Sequence, residues 1–287
     1  MVDRLAVVGC GLIGGSFALA LREAQRIDQV VVFDRDPAHA ERARTLGIAD
    51  RVASSIADAV DGASLVVVAT PVAQIEPVFA AIANHLRPDA VVTDVGSTKR
   101  DVVAAARRTL GDALPRFVPG HPIAGRAVHG PEAATADLFR GKRVLLTPHD
   151  TVDADALARA RDAWLACGAH VTSLTADAHD RVLSAVSHLP HLLAYVLVAQ
   201  IAEADDAAQK FELAGGGFAD FTRIAASSPE MWRDIALANR DALLEDLDDY
   251  RRRLDVLRSS VARGDGVALE TLFSAASAAR TEWRKAG

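Results

Sequence analysis

Cysteine is nearly absent from this chain of 287 residues; Cys10 and Cys167 are the only two, in unrelated contexts. That excludes a disulfide-stapled secreted scaffold and a cysteine-rich metal site, and it suits a reducing, cytoplasmic compartment. Long hydrophobic runs are missing as well. The best stretch, LLAYVLVAQIA around residue 195, is flanked by histidine and acidic residues. It falls short of the ~18 apolar residues of a membrane span, so no membrane is expected as partner. The start, Met-Val-Asp-Arg, runs straight into an apolar strand and has no signal-peptide pattern. Positive charge is not in excess: 32 Lys and Arg against 38 Asp and Glu give a net charge of −6. That argues against a general nucleic-acid binder. Aromatic residues make up only 5%. There is no internal repeat and no low-complexity linker. What remains is 50% hydrophobic and 24% charged, a composition for one large globular domain or two ordinary ones.

The first part of the chain alternates. Apolar runs at 5–9, 30–33, 64–70 and 90–95 are separated by helical stretches, and RFVPG, RVLLTP and HVTSL (170–174) follow. This reads as β-α-β units on a parallel sheet covered on both faces, with HVTSL closing that sheet. Beyond Leu174 no strand is expected. A long apolar helix should run over 177–205, with further helices from Thr222 past Pro229, over 241–263 and over 267–285. The fold class is therefore α/β: an N-terminal Rossmann doubly wound sheet over residues 1–174, then an all-α domain over 175–287. The small helical domain carries more apolar surface than one copy can cover, which points to a homodimer.

Gly9-Cys10-Gly11-Leu12-Ile13-Gly14 matches G-x-G-x-x-G directly after the first strand and at the start of the first helix. The glycines permit a tight turn, close approach of a pyrophosphate and helix–strand packing, with the helix N-terminus facing the phosphates. Asp34 ends the second strand, where a carboxylate would accept hydrogen bonds from the adenosine ribose. Asp34 favours NAD, while the adjacent Arg35 keeps NADP as the alternative.

Three further clusters follow strand ends, where nicotinamide and substrate meet in such sheets. They are Ala69-Thr70-Pro71, Asp94-Val95-Gly96-Ser97-Thr98-Lys99 and Gly120-His121-Pro122-Ile123-Ala124-Gly125. His121, followed by proline, is held extended and suits a general base for an alcohol proton at neutral pH. Ser97 either orients that histidine or caps the next helix. In the helical part, His188-Leu189-Pro190-His191 places two histidines on one face, read as a polar patch toward the cofactor rather than a metal site. Gly215-Gly216-Gly217 allows close backbone approach. Arg223 is the natural clamp for an anionic substrate. Trp232 is read as a packing residue that also lines a cleft.

The strings VGCGLIGGS (8–16), DVGSTK (94–99), GHPIAG (120–125), SHLPH (187–191) and FTRIA (221–225) together resemble the prephenate/arogenate dehydrogenase family of tyrosine biosynthesis. The resemblance covers essentially the whole chain. It implies oxidative decarboxylation of prephenate, with His121 accepting the hydrogen bond of the substrate hydroxyl and Ser97 beside the nicotinamide. It further implies that Arg223 holds a substrate carboxylate, that His191 lies in the pocket, and that Gly216 or Gly217 and Trp232 reach the pocket from a partner subunit. The family string HPIAG-x-E-x-S-G departs here: Ala127 replaces the acid and His129 the small hydroxyl residue. Lack of a spare carboxylate for an ammonium group favours prephenate over arogenate. The length leaves no room for a fused mutase or regulatory domain. Two other readings are weaker. A β-hydroxyacid dehydrogenase would need a catalytic lysine, and Lys210 and Lys285 are poorly set for it. A non-catalytic nicotinamide sensor would not need His121, Ser97 and Arg223 together.

Overall fold

The computed structural model describes residues 2–126 and 128–286. The N-terminal elements alternate: β1 (Val2–Val8), α1 (Leu12–Glu23), β2 (Ile27–Phe33), α2 (Pro37–Thr45), β3 (Arg51–Val52), α3 (Ile56–Val60), β4 (Leu65–Val68), α4 (Ile75–Ile82), β5 (Val91–Asp94), α5 (Arg100–Thr109) and β6 (Phe117–Val118). The six strands form one parallel sheet in the order β3-β2-β1-β4-β5-β6. The order reverses between β1 and β4, which opens a crevice at their C-terminal ends.

The apolar runs form strands because both sheet faces are covered. Along β1, Leu5 and Val7 enter one core with α1, α2 and later Trp164, while Ala6 and Val8 enter the other with α4 and α5. The same alternation holds in β4, where Leu65 and Val67 face one core and Val66 and Val68 the other. Side chains on successive residues of a strand point to opposite faces, so a doubly covered strand must be apolar throughout. Phe17 and Phe139 pack on Trp164 with ring centroids 4.4 and 5.2 Å away. On the opposite face Phe79 meets Phe117 edge-on at 4.8 Å.

The last strands differ from the sequence expectation. β7 (Gly120–Pro122), β8 (Arg143–Leu146) and, after α6 (Ala154–Ala166), β9 (His170–Ser173) form a separate three-stranded sheet. HVTSL closes that small sheet by pairing with β8, and β8 runs antiparallel to β7. The reason is Pro119, which has no N–H for the parallel ladder; pairing with β5 stops at Val118. The chain then turns into a new ladder at Gly120. A Cβ at Gly120 would sit 2.9 Å from the Asp94 carbonyl oxygen, so only glycine permits this crossing.

Among the described residues, no strand follows β9. α7 (Ala176–Leu183), a π-helical turn (Ser184–His188) and α8 (Leu189–Ala202) run on as one helix. Pro190 comes just after the π turn, where the regular helical ladder is already interrupted and a missing N–H is tolerated. By length and composition this 27-residue run could cross a bilayer. Its first turns, however, carry Asp177, Asp180 and Arg181, and Asp180 is fully buried against the backbone of α5. α9 (Ala207–Glu212) and α10 (Gly216–Thr222) follow. The helix expected from Thr222 past Pro229 is broken: a short turn (Arg223–Ala226) ends, and Ser228 caps α11 (Pro229–Ala238) by accepting the Met231 amide. These elements belong to a compact unit covering residues 1–240; residues 241–287 form a second unit. The second unit consists of most of α12 (Arg240–Arg263) and of α13 (Gly266–Ala286). Leu254, Val256, Val261, Leu272 and Phe273 on these helices are exposed in the single chain.

Candidate active site

Three groups of residues make up the candidate site, two at the C-terminal ends of strands and one on the helices. The first is the glycine turn after β1. Gly9 has φ +92°, and a Cβ there would lie 2.6 Å from the Ala69 carbonyl oxygen. At Gly14 a Cβ would lie 2.3 Å from the Gly9 oxygen. At Gly11 a Cβ would meet nothing within 4 Å, so that glycine keeps space open rather than permitting a turn. No side chain caps the N-terminus of α1, which leaves the first amides around Leu12 and Ile13 for an anion. The turn opens on a cleft of about 460 Å³ lined by Gly9, Gly11, Asp34, Arg35, His39 and Thr70. Thr70 Oγ1 is buried there with no protein partner. Asp34 accepts the Cys10 amide at 2.8 Å and the Asp36 amide at 3.0 Å, so it braces the turn as well as facing the cleft. An uncapped helix, an open glycine and an orphan hydroxyl suit a dinucleotide. Burial pushes the Cys10 thiol up to about 12, aided by the Asp34 charge, and it is no nucleophile.

The second group joins the loop after β5 to β7. Asp94 and Lys99 form a fully buried ion pair. Lys99 Nζ also donates to the Gly120 carbonyl at 2.8 Å, and Asp94 accepts the amides of Gly96 at 2.7 Å and Gly120 at 3.1 Å. Ser97 is held in this clasped loop. It does not cap α5: that helix begins at Arg100, and the amides of Lys99 and Arg100 donate to Asp180, at 2.8 and 2.9 Å. Asp180 thus caps α5 from another helix. Its burial favours the neutral acid, but the His179 ring and the Arg100 and Lys99 amides outweigh that and hold its carboxyl below the usual range.

His121 lies in β7, extended as the following proline requires, and its Nδ1 is 2.9 Å from His179 Nε2. His179 Nδ1 is 2.7 Å from Asp180 Oδ1. Burial, with His179, Lys99 and His188 nearby, holds the His121 imidazole well below its ordinary range. It is neutral at neutral pH, as a proton acceptor must be. His179, Asp180 and Asn239 form a buried polar cluster behind His121 that the sequence pattern did not reveal. Their single signal was a polar pair, His-Asp, on the apolar face of a helix.

The third group lies on the helical segment. His191 Nδ1 donates to the Ser187 carbonyl at 2.8 Å, and its ring stacks on Trp232. Trp232 therefore stands beside the pocket histidines of its own chain, 8% exposed. Arg223 is exposed, makes no ion pair among the described residues, and its charge acts on His191. His188 is buried, and its Nδ1 is 3.1 Å from the Asn239 amide nitrogen. Burial pushes His188 down to about 4. Gly216 and Gly217 are exposed, and a Cβ on either would meet nothing within 4 Å. His129 is exposed; Ala127 lies outside the described residues.

Known proteins resemble this chain in sequence and in fold. The family model for the prephenate dehydrogenase nucleotide-binding domain matches residues 17–173, and that for the prephenate dehydrogenase dimerization domain matches residues 175–275. The chain is 38% identical over 281 residues to cyclohexadienyl dehydrogenase of Zymomonas mobilis, covering 96% of this chain and 94% of that one. Over 278 residues it is 36% identical to prephenate dehydrogenase of Bacillus subtilis, covering 96% of this chain and 75% of that one. The crystal structure of prephenate dehydrogenase from A. aeolicus with hydroxyphenyl propionate and NAD+ superimposes with a TM-score of 0.90 at 33% identity. That match covers 100% of this chain and 99% of the other. With its glycine cradle, its buried histidine site and matches along both parts of its length, the chain belongs to the prephenate dehydrogenase family.

Proposed function

We propose that this protein is a prephenate dehydrogenase that uses NAD to convert prephenate to 4-hydroxyphenylpyruvate and carbon dioxide. The observation that carries this reading is His121: an imidazole at a strand end whose Nδ1 is held by buried His179, next to Gly120, which Lys99 ties to the loop after β5. Family membership supports it. Gly9, Gly11, Leu12, Ile13, Gly14, Asp34, Arg35 and Thr70 would hold NAD. When bound, NAD supplies the acceptor for the hydride that leaves the hydroxyl-bearing ring carbon. His121, whose Nδ1 is taken by His179, receives the hydroxyl proton at Nε2. Loss of the ring carboxylate as carbon dioxide returns its bonding pair to the ring, which becomes aromatic. The protein's part is alignment and acceptance of one proton. Ser97, fixed by the Asp94–Lys99 clasp, orients the hydroxyl; Arg223 binds a carboxylate and His191 with Trp232 walls the ring.

Prephenate is favoured over arogenate by charge. Arg223 is the charged group that acts on His191, and a cation there repels an ammonium-bearing side chain. Arogenate is the second reading, since a relative is a cyclohexadienyl dehydrogenase. The site division near residue 174 separates the nucleotide cradle from the helical wall of the pocket. The apolar side chains exposed on the helices, among them Val186, Val196, Leu254 and Phe273, are the surface of a homodimer, with Gly216 and Gly217 near the partner. A cytoplasmic enzyme fits the two buried thiols.

The test is absorbance at 340 nm with prephenate or arogenate and NAD or NADP. Prephenate with NAD should give the largest kcat/KM. No reduction in any of the four pairs would sink the assignment. Light scattering should give a mass near twice 30.3 kDa; the monomer mass would reject the dimer.

A further inference from the structure

We propose that His179, anchored by Asp180, is the positioning residue that fixes which nitrogen of His121 accepts the substrate proton. The inference rests on His121 being the base.

His179 is fully buried, so it acts only through what it touches. On one side its Nδ1 lies 2.7 Å from Asp180 Oδ1; on the other its Nε2 lies 2.9 Å from His121 Nδ1. A carboxylate accepts and does not donate, so the proton of neutral His179 sits on Nδ1. Nε2 then presents a lone pair to His121. The 2.9 Å separation requires a proton between the two nitrogens, and it comes from His121 Nδ1. The lone pair of His121 is thereby confined to Nε2, the nitrogen left for substrate. The opposite tautomer would set two lone pairs against each other.

The alternative is a doubly protonated His179, which would donate to His121 and leave the acceptor at the wrong nitrogen. Asp180 does not need that second proton to have its donors. Asp180 already takes the amides of Lys99 and Arg100 and the Arg100 Nε at 3.3 Å. Its charge is matched by Arg100, just as Asp94 is matched by Lys99. With one proton on each ring, Asp180, His179 and His121 form a single donor–acceptor chain in which no lone pair faces another. Asn239, the residue that ends α11, secures the arrangement. Its Oδ1 accepts from Arg100 at 3.0 Å, and its Nδ2 donates to the Asp180 carbonyl at 2.7 Å. Asp180, which holds the ring, is thus fixed by the start of α5 and by Asn239 at the end of α11.

The experiment compares His179→Leu, His179→Gln and His121→Asn in the full-length protein. His179→Leu should lose about 100-fold in kcat, the scale of a misaligned catalytic group. Its KM and its affinity for NAD should stay within about twofold, since kcat alone reports an interaction of the transition state. His179→Gln keeps an acceptor oxygen and should recover about 5- to 10-fold of the loss, on the order of one hydrogen bond. A packing role predicts the reverse order, with the apolar residue the better substitute. Wild-type activity in His179→Leu, or glutamine no better than leucine, overturns the proposal. If His121→Asn itself keeps turnover, the assignment of the base fails, and this inference with it. If His121→Asn is inactive and His179→Leu is not, only this inference fails. Imidazole 15N NMR of the wild-type protein, assigned by the signal lost in His121→Asn, gives an answer independent of how the variants fold. The proton of His121 should be on Nδ1; a proton on Nε2 overturns the proposal.

Discussion

The rings of His191 and Trp232 lie almost parallel, with centroids 3.6 Å apart and planes 20° from each other. The imidazole is thus clamped between the indole face and the Ser187 carbonyl, which fixes its orientation. Trp232→Leu should release it. An aromatic pair contributes about 0.5–1.5 kcal/mol beyond its buried area, so KM should rise up to about tenfold while kcat falls less. Steady-state kinetics with saturating NAD checks this, and an unchanged KM would remove the pair from the substrate pocket.

Two glycines of the nucleotide turn should separate folding from binding. Gly14→Ala drives a methyl into the Gly9 carbonyl and the Val7 side chain, so both melting temperature and NAD affinity should fall. Gly11→Ala meets no protein atom within 4 Å. Its melting temperature should stay near that of the wild type while NAD binding weakens, because the added methyl occupies ligand space. Thermal scans with and without NAD distinguish the two. Equal melting temperatures would contradict the geometry.

The pH dependence follows from the histidines. His121 is active when unprotonated, and burial first, then His179, Lys99 and His188, lower its pKa. Protonation therefore comes at lower pH than for a free imidazole, and the acid limb of kcat/KM should lie below pH 6.5, the ordinary value. Stability should show the same groups. His188 has its folded pKa lowered to about 4, so between that pH and 6.5 the unfolded chain binds more protons. Stability is then fully present above 6.5 and is lost as pH falls toward 4. For this one residue the loss is about 3 kcal/mol, from about 1.4 kcal/mol per pH unit. Denaturant unfolding at several pH values should show that slope, and His188→Gln should flatten it.

The Asp94–Lys99 pair should be costly to break. Lys99→Met leaves a fully buried carboxylate without its cation and frees the Gly120 carbonyl. A loss of about 3–5 kcal/mol is expected. A chemical-denaturation midpoint close to that of the wild type would show that Asp94 is protonated or solvated there.

Much of this was readable in the residues. Glycine spacing after an apolar strand located the cradle, because only that backbone can turn and pack so closely. His121 stood out since a Gly-His-Pro sequence at a strand end holds a side chain in an extended loop region. Periodicity also marked the change to helices after β9. It failed where a single atom decides the path: the missing N–H of Pro119 sent HVTSL to a second sheet. The single helix read over 177–205 holds as one run over Ala176–Ala202, and hydrophobic spacing does not register the π turn inside it. His179, Asp180 and Asn239 were invisible for another reason. Sequence patterns report burial, but their partners lie on other elements: His121 is 58 residues from His179 and Asn239 is 59 from Asp180. Of the roles open to Ser97, the cap of α5 is excluded for the same reason, as the acceptor is Asp180 on α7.

Asp180 carries a consequence for mutational tolerance. One carboxylate closes the start of α5 and also holds His179, so no substitution there can trade activity against stability independently. In a saturation library screened for growth without tyrosine, position 180 should accept almost nothing, while exposed Asp177 and Arg181 in the same helix turn vary freely. Engineering a changed substrate range would then have to work through the exposed wall around Arg223, which is free of such double duty.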